Sequence, residues 1–157
     1  MIALIDYIQI EIHKTYNKKY SKKYIEDKLI PIINYICSSK SKKFLFGGSQ
    51  GIGKSSFINI ISKTIEKFYN KKILLLSLDN YYLSKKQRLL LSKQIHQLLI
   101  TRGVPGTHDI EKLFKNIKQF NKSKYPITTP LFDKLIDDTT KSTKITKTKC
   151  DILFLEG

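Results

Sequence analysis

Apolar residues near the N-terminus recur with the period of a helix. Three isoleucines lie three and four residues apart and fall on one helical face: Ile5, Ile8 and Ile12. After a polar stretch near 14–23, a second apolar segment covers 25–37, with Pro31 near a turn or in its first turn. We therefore predict an N-terminal helical segment at 1–40 and a separate core at 41–157.

Three short apolar runs in the core have the character of buried strands: 44–46, 73–78 and 152–155. The second run is almost continuously apolar, as in parallel sheets that are covered on both faces. Between the first two runs, four residues have the spacing of one helix face: Ile58, Ile61, Ile65 and Phe68. This alternation predicts an α/β fold with a parallel sheet of about three strands.

The region between the second and third runs is less regular. Ser84 can cap a helix that ends near Arg102 and Gly103. We assign its apolar face to four residues: Leu91, Ile95, Leu98 and Leu99. A loop at 103–109 and a helix at 110–120 follow, whereas 121–150 is rich in threonine and lysine and contains two prolines that argue against helix.

Composition favours a single folded, cytoplasmic protein. A hydrophobic fraction of 41% in 157 residues is enough for a buried core. Cys37 and Cys150 match neither a disulfide framework nor a metal-binding pattern, so they fit ordinary thiols in a reducing cytosol. No run approaches the roughly 20 apolar residues that span a bilayer, so no membrane association is expected.

The net charge of +16 raises the alternative of nucleic-acid binding. Only Arg88 and Arg102 are arginines among 29 basic residues, and the lysines are scattered in pairs. Nucleic-acid readers use arginine forks and concentrate their charge on one face. The charge pattern therefore argues against nucleic acid as the main partner.

A glycine-rich motif lies between the first predicted strand and the following helix. It satisfies G-x-x-x-x-G-K-[ST] and consists of Gly48, Ser49, Gln50, Gly51, Ile52, Gly53, Lys54 and Ser55, followed by Ser56. Glycines let backbone N–H groups turn around a phosphate, Lys54 supplies charge for the outer phosphates, and the Ser55 hydroxyl can ligate Mg²⁺. The alternative is a glycine turn that only joins a strand to a helix. The complete motif in this context predicts MgATP binding.

Two acids follow the other predicted strands. Ligands of parallel sheets collect beyond the carboxyl ends of the strands, where Asp79 and Glu156 are expected. One acid can orient Mg²⁺ and the other can accept the proton of an attacking hydroxyl. Alternatively, each is a solvated residue at the end of a strand.

Five stretches together carry a resemblance to a known family: 48–56, 77–83, 102–109, 132–134 and 154–157. The set resembles the D-glycerate 3-kinase family and its kinase-like relatives in the phosphoribulokinase and uridine kinase group. The element RGVPGTHD at 102–109 is the specific part. The resemblance covers about 28–157 and implies a P-loop NTPase three-layer sandwich.

The resemblance also implies roles for individual residues. Asp79 is similar to the family's base toward the acceptor hydroxyl, and Glu156 to its Walker B acid near Mg²⁺. The implied acceptor residues are Arg102, Thr107, His108 and Asp109, with Asp133 and Lys134 in an element near the phosphates.

For two of these residues a second interpretation stays open. The fork of Arg102 suits a carboxylate, although an arginine there can also stabilise a helix C-terminus. His108 is either a substrate contact or a residue that orders the loop.

The chain departs from the family at three places. Asn80 stands where a second acid is usual, and Thr139 stands where an arginine normally follows Asp137 and Asp138. The chain ends at Gly157, where the family continues with further strands. The resemblance thus implies an incomplete sheet with an uncovered edge at its first strand, open to self-association or to a C-terminal half.

The sequence thus predicts an ATP-dependent kinase, a phosphotransferase that acts on a hydroxyl of a small metabolite, with D-glycerate as the first acceptor. Lys54, Asp79 and Glu156 are its predicted catalytic residues, and ATP and Mg²⁺ its cofactors. Two alternatives stay open: an inactive truncated or split kinase that at most binds nucleotide, and a basic nucleic-acid-binding protein.

Overall fold

The computed structural model describes residues 2–157 and divides them into two compact units. The first unit comprises the chain up to Leu74 together with Asp151–Glu156, and the second comprises Leu75–Cys150 with Gly157. The chain passes from the first unit to the second within a strand. The domain boundary that the sequence predicts after residue 40 is a different one and stays a prediction.

The N-terminal part of the first unit is helical, as predicted. It contains α1 (Ile2–Tyr16), the short α2 (Lys22–Tyr24), a π-helical turn (Ile25–Leu29) and α3 (Ile30–Ser38). Pro31 lies in the first turn of α3, directly after the π-helical turn. The helical period of α1 is confirmed, because its three spaced isoleucines are at most 5% exposed.

The remaining elements of the first unit are β1 (Lys43–Phe46), α4 (Lys54–Tyr69), the start of β2 (Ile73–Ser77) and β5 (Ile152–Glu156). The strand order is β1-β5-β2. The pairing of β1 with β5 is parallel and runs from Lys43 opposite Leu153 to Phe46 opposite Glu156. At the start of β2, the carbonyl of Lys72 accepts from the backbone N–H groups of Asp151 and Ile152. The predicted α/β fold with a three-stranded parallel sheet is confirmed.

Helix α4 packs through the face that its sequence predicts. Ile58, Ile61 and Ile65 are at most 1% exposed. Phe68 is the exception at 38% exposed, and its ring lies against Tyr7 of α1, 5.5 Å between centroids. The core of this unit is therefore formed by α1 and α4 together with the sheet.

The second unit continues from β2 into a 3-10 turn (Leu78–Tyr81), α5 (Lys85–Gln94), another 3-10 turn (Gln97–Ile100) and α6 (Ile110–Asn121). The capping box that begins α5 confirms the role of Ser84, whose side chain accepts from the Gln87 N–H while the Gln87 side chain accepts from the Ser84 N–H.

The apolar face predicted for this helix is wrong. The helix ends at Gln94, and His96 caps the 3-10 turn that follows, so the helical spacing does not continue. Ile95 is 70% exposed and Leu98 58% exposed, whereas Leu99 is buried. The buried residue of α5 is Arg88.

An antiparallel hairpin occupies the region in which the sequence analysis assigned no regular structure. β3 (Ile127–Asp133) pairs with β4 (Asp138–Thr146), with a register shift between Pro130 and Phe132. Threonines favour strands because their branched side chains fit a pleated surface, and this signal is present throughout the segment.

The remaining structural predictions concern thiols and membranes. Neither Cys37 nor Cys150 forms a disulfide within residues 2–157, as predicted. Within residues 2–157, no helix combines the length and the apolar character that crossing a bilayer requires. The same residues contain no cluster of three or more His, Cys, Asp or Glu side chains suited to hold a metal by themselves.

Candidate active site

The glycine-rich loop at 47–53 connects β1 to α4 in the first unit. Gly53 is the N-cap of α4 with φ of 86°, in the left-handed region that glycine tolerates best. Gly48 has φ of 156°, and a Cβ there would lie 2.8 Å from Cδ1 of Ile52, an exposed side chain that would have to shift. Both glycines therefore let the backbone curve tightly into the first turn of α4, where free N–H groups can receive an anion.

The side chain of Lys54 folds back over this loop. Its Nζ donates to the carbonyl of Gly48 at 2.6 Å and to that of Ser49 at 3.0 Å. The first turn of α4 contains no acid, so no carboxylate there competes with a bound phosphate. The ammonium group is thus held above the loop, as expected for a lysine that neutralises phosphate oxygens.

Ser55 and Glu156 are joined by a hydrogen bond in which the serine hydroxyl donates to the glutamate Oε1. Glu156 is only 8% exposed and ends β5, while Ser55 lies in the first turn of α4. Mg²⁺ in nucleotide sites is held by one or two protein oxygens together with phosphate oxygens and water. A hydroxyl and a carboxylate in contact beside a phosphate loop fit that requirement.

The residues predicted to contact the acceptor lie in the second unit, where Asp79 has two partners. Its Oδ2 accepts from Nζ of Lys134 at 2.6 Å, and its Oδ1 accepts from the Tyr82 hydroxyl at 3.0 Å. Burial alone would raise the pKa of Asp79, but these two hydrogen bonds and the Lys134 charge lower it below its ordinary value. The carboxylate is therefore ionised and firmly oriented.

His108 lies over the ring of Tyr82. The ring centroids are 4.3 Å apart, and burial lowers the pKa of His108. Its Nε2 is buried and has no hydrogen-bond partner among residues 2–157. The stacking holds the ring in place, so both earlier interpretations of His108, as a loop-ordering residue and as a contact for a ligand, stay open.

Arg102 forms part of an arginine pair around Asp137. Its Nη1 donates to Oδ1 of Asp137 at 2.5 Å and to the carbonyl of Lys134 at 3.2 Å. Arg88 reaches the same aspartate from a fully buried position, donating to Oδ2 at 3.0 Å. Hydrogen bonds from Arg102 and Arg88 outweigh burial and lower the pKa of Asp137. The carboxylate thus fixes Arg102 while leaving its side chain 34% exposed.

Three other predicted residues make local structural bonds. The hydroxyl of Thr107, a fully buried residue, donates to the carbonyl of Val104 and accepts from the N–H of Gly103. Asp109 caps α6 by accepting from Lys112 N–H, and Asp133 accepts from Leu135 N–H in the hairpin turn. These bonds shape the loops that carry Arg102, His108 and Lys134.

Three residues that were not predicted as site residues hold Asp79 and Arg102 in place through hydrogen bonds: Tyr82, Arg88 and Asp137. Arg88 and Asp137 are 49 residues apart, so no local pattern links them. The signal that was available for Arg88 is its rarity, since it is one of two arginines in a chain with 29 basic residues.

The comparison with protein families agrees with the geometry of the phosphate loop. Residues 22–152 match the model described as the KAP family P-loop domain, which covers most of the chain. The chain belongs to this family of P-loop domains. Family membership makes the glycine-rich loop a nucleotide-binding loop by descent as well as by shape.

Several relatives within the wider P-loop group are kinases by name. The chain is 34% identical over 125 residues to a Saccharomyces cerevisiae protein named "Probable ATP-dependent kinase TDA10", a match that covers 71% of this chain and 43% of the relative. The chain therefore spans less than half the length of this curated relative.

Solved structures show the same fold. The structure of the YGR205w protein is 29% identical, has a TM-score of 0.67, and covers 87% of this chain and 52% of its own. D-glycerate 3-kinase from Cryptococcus neoformans is 20% identical with a TM-score of 0.63, and the match covers 99% of this chain and 51% of that one. The predicted P-loop NTPase fold and the predicted resemblance are both confirmed.

Proposed function

We propose that this chain is part of an ATP-dependent kinase that transfers the terminal phosphoryl group to a hydroxyl of a small hydroxy acid, with D-glycerate as the first candidate. The observation that carries the proposal is the contact of Ser55 with Glu156 beside the phosphate loop. A glycine turn that only joined a strand to a helix would need neither Lys54 above the loop nor a buried acid on the serine hydroxyl.

The phosphates would be bound by the backbone N–H groups of the loop and by the Lys54 ammonium. Binding requires Lys54 to exchange its carbonyl acceptors for phosphate oxygens, which carry more charge. Ser55 and Glu156 would hold Mg²⁺, which supplies charge neutralisation on the outer phosphates. The other contributions of the chain to catalysis would be to position the reacting groups and to exclude competing water.

The acceptor would be handled by residues of the second unit. Asp79 would accept the proton of the attacking hydroxyl while the oxygen bonds to phosphorus and the bond to the departing ADP breaks. The exposed part of Arg102 offers N–H donors to an acceptor carboxylate, and Asp137 holds that fork in one orientation. Lys134 keeps Asp79 ionised before the acceptor arrives.

The name of the structurally similar D-glycerate 3-kinase and the exposed arginine both favour a hydroxy acid over a neutral alcohol. We place the reaction in the cytosol, a reducing compartment that fits two cysteines without a disulfide between them.

Calorimetric titration of MgATP tests this proposal. Wild-type chain should bind MgATP, Lys54→Ala should lose the binding, and Lys67→Ala, a matched lysine near the other end of α4, should keep it. A panel of hydroxy acids, polyols and nucleosides then identifies the acceptor by ADP release. Folded protein that binds MgATP but phosphorylates none of them would contradict the kinase proposal.

A second candidate is a nucleotide-binding subunit whose sheet is completed by another chain. Strand β1 lies at an edge of the sheet, and Leu45 on it is 75% exposed. Edge strands with exposed apolar residues pair readily with a further strand. In light scattering, this candidate predicts a concentration-dependent dimer that Leu45→Lys dissociates, and a monomer at all concentrations would exclude self-association.

A further inference from the structure

A cavity of about 400 Å³ in the first unit begins at the phosphate loop. On the loop side it is lined by Gly47, Ile52, Gly53 and Lys54. Its volume falls in the range of roughly 300–1,000 Å³ that is usual for small-molecule sites. A molecule bound in this cavity would therefore be contiguous with phosphates bound by the loop.

Part of the cavity lining is aromatic. Tyr16, Tyr20 and Tyr24 all line it, and the Tyr20 and Tyr24 rings are 5.1 Å apart with 30° between their planes. The Tyr16 hydroxyl lies 3.4 Å from the carbonyl of Gly53, which ties the end of α1 to the loop. The aromatic part of the lining therefore starts at Tyr16, whose side chain contacts the phosphate loop.

The two outer tyrosines are available to a ligand. Tyr20 is 38% exposed and Tyr24 45% exposed. Within residues 2–157 their hydroxyl groups have no hydrogen-bond partner, since the only polar contacts of these residues are through backbone atoms. Flat rings with free hydroxyls can both stack on a planar heterocycle and hydrogen-bond its edge.

The rest of the cavity lining is apolar. They are formed by isoleucines of α1 and α4, including Ile8, Ile12, Ile58 and Ile61. An apolar packing gap would be lined by such residues alone and would be closed. This cavity is instead lined both by the phosphate loop and by half-exposed tyrosines, a combination suited to a molecule with an anionic end and an aromatic end.

We propose that this cavity binds the aromatic base of the nucleoside triphosphate whose phosphates the loop holds, with the base stacked on Tyr20 or Tyr24. The inference rests on the proposed nucleotide binding and assigns the base-binding role to the N-terminal helical segment. Affinity for a nucleotide would then exceed affinity for the same phosphates without a base.

The test compares MgATP with magnesium tripolyphosphate, which presents three linked phosphates and no base. Dissociation constants are measured by calorimetry for wild type, for the double variant Tyr20→Leu/Tyr24→Leu, and for Tyr35→Leu as the control. Tyr35 is 66% exposed and does not line the cavity. Loss of stacking should weaken MgATP binding by about fivefold to 150-fold, which is the fold-change equivalent to the roughly 1–3 kcal/mol of one base on one aromatic ring.

The expected pattern is a loss confined to MgATP in the double variant, with tripolyphosphate unchanged and the control equal to wild type. Equal wild-type affinity for the two ligands, or equal weakening of both in the double variant, would overturn the inference while leaving phosphate binding intact. Failure of wild type to bind either ligand would instead overturn the proposed function and this inference with it.

A variant that keeps both aromatic rings serves as a control for misfolding of the double variant. Tyr20→Phe/Tyr24→Phe keeps both aromatic faces and should retain most of the affinity for MgATP. In saturation-transfer NMR with wild type, the base protons of ATP should receive the strongest saturation. Base protons that receive less saturation than ribose protons would contradict a stacked base.

Discussion

The hydroxyl of Ser55 donates to the carboxylate of Glu156 across 101 residues of sequence. This bond joins the first turn of α4 to the last residue of β5 within one unit. It places a hydroxyl oxygen and a carboxylate oxygen side by side next to the phosphate loop, an arrangement that would suit Mg²⁺ bound to a triphosphate.

Removing either partner should abolish the contribution of Mg²⁺ to nucleotide affinity. For Ser55→Ala and Glu156→Gln, calorimetry with and without Mg²⁺ should show nearly equal ATP affinities, whereas wild type should bind more tightly with the metal. Ser62→Ala is the control, because Ser62 lies on the same helix and its hydroxyl has no partner in residues 2–157. A variant at Glu156 that keeps the full metal effect would remove this residue from the predicted metal site.

Lys134 should set the acidity of Asp79. The hydrogen bond and the charge of Lys134 lower the pKa of Asp79, so Lys134→Met should raise that pKa. Because the base must be ionised, the acid limb of the pH profile of any phosphotransfer rate should then move to higher pH. Carbon-13 NMR titration of the Asp79 carboxyl measures the shift directly. Lys141→Met, which changes an exposed lysine of β4, serves as the control, and a titration unchanged by Lys134→Met would show that Lys134 does not set the acidity of Asp79.

Arg88 should be among the residues most important for stability. Its guanidinium is 0% exposed and donates to the carbonyls of Leu83, Ile100 and Asp137 as well as to the Asp137 carboxylate. Arg88→Met would leave these acceptors unpaired and should cost about 3–5 kcal/mol in urea unfolding. Arg102→Met should lower the free energy of unfolding distinctly less, because that side chain is 34% exposed. Equal losses for the two variants would mean that burial of the arginine does not determine how much stability is lost.

Glu11 should stabilise the first unit in a pH-dependent way. It is 4% exposed and is paired with Lys63 at 2.9 Å and Lys14 at 3.0 Å, and hydrogen bonds from both lower its pKa from 4.5. Because the folded pKa lies below the unfolded one, the stabilisation is present at neutral pH and is lost as pH falls through the folded pKa.

The variant Glu11→Gln isolates this contribution. At neutral pH it should lower the free energy of unfolding by about 1 kcal/mol, since the two lysines are near half exposure or above and water screens them. In acid the difference between variant and wild type should shrink. A difference that stays constant down to acid pH would indicate a packing effect and exclude the charge of Glu11 as its cause.

Local sequence determined a large part of this structure. The spaced isoleucines of α1 and α4 predicted their buried faces, Ser84 predicted its cap, and the motif at 48–55 predicted a strand, a tight turn and a helix in that order. These features depend on neighbours within a few residues, because the helical period, cap hydrogen bonds and glycine conformations are local properties. The same locality explains why α5 was misjudged, since Ile95 and Leu98 continue its spacing beyond the point where the helix ends.

Only the tertiary structure decided which distant side chains meet. The pairing of Arg88 with Asp137, the bond from Lys134 to Asp79 and the cavity between the phosphate loop and Tyr24 all depend on the path of the chain over many residues. A sequence pattern specifies the face of an element, but a contact between two elements also requires their relative position, which is set by packing of the whole unit. The sequence thus determined that a phosphate loop exists here, and the fold decided which acid, arginine and aromatic residues surround each site.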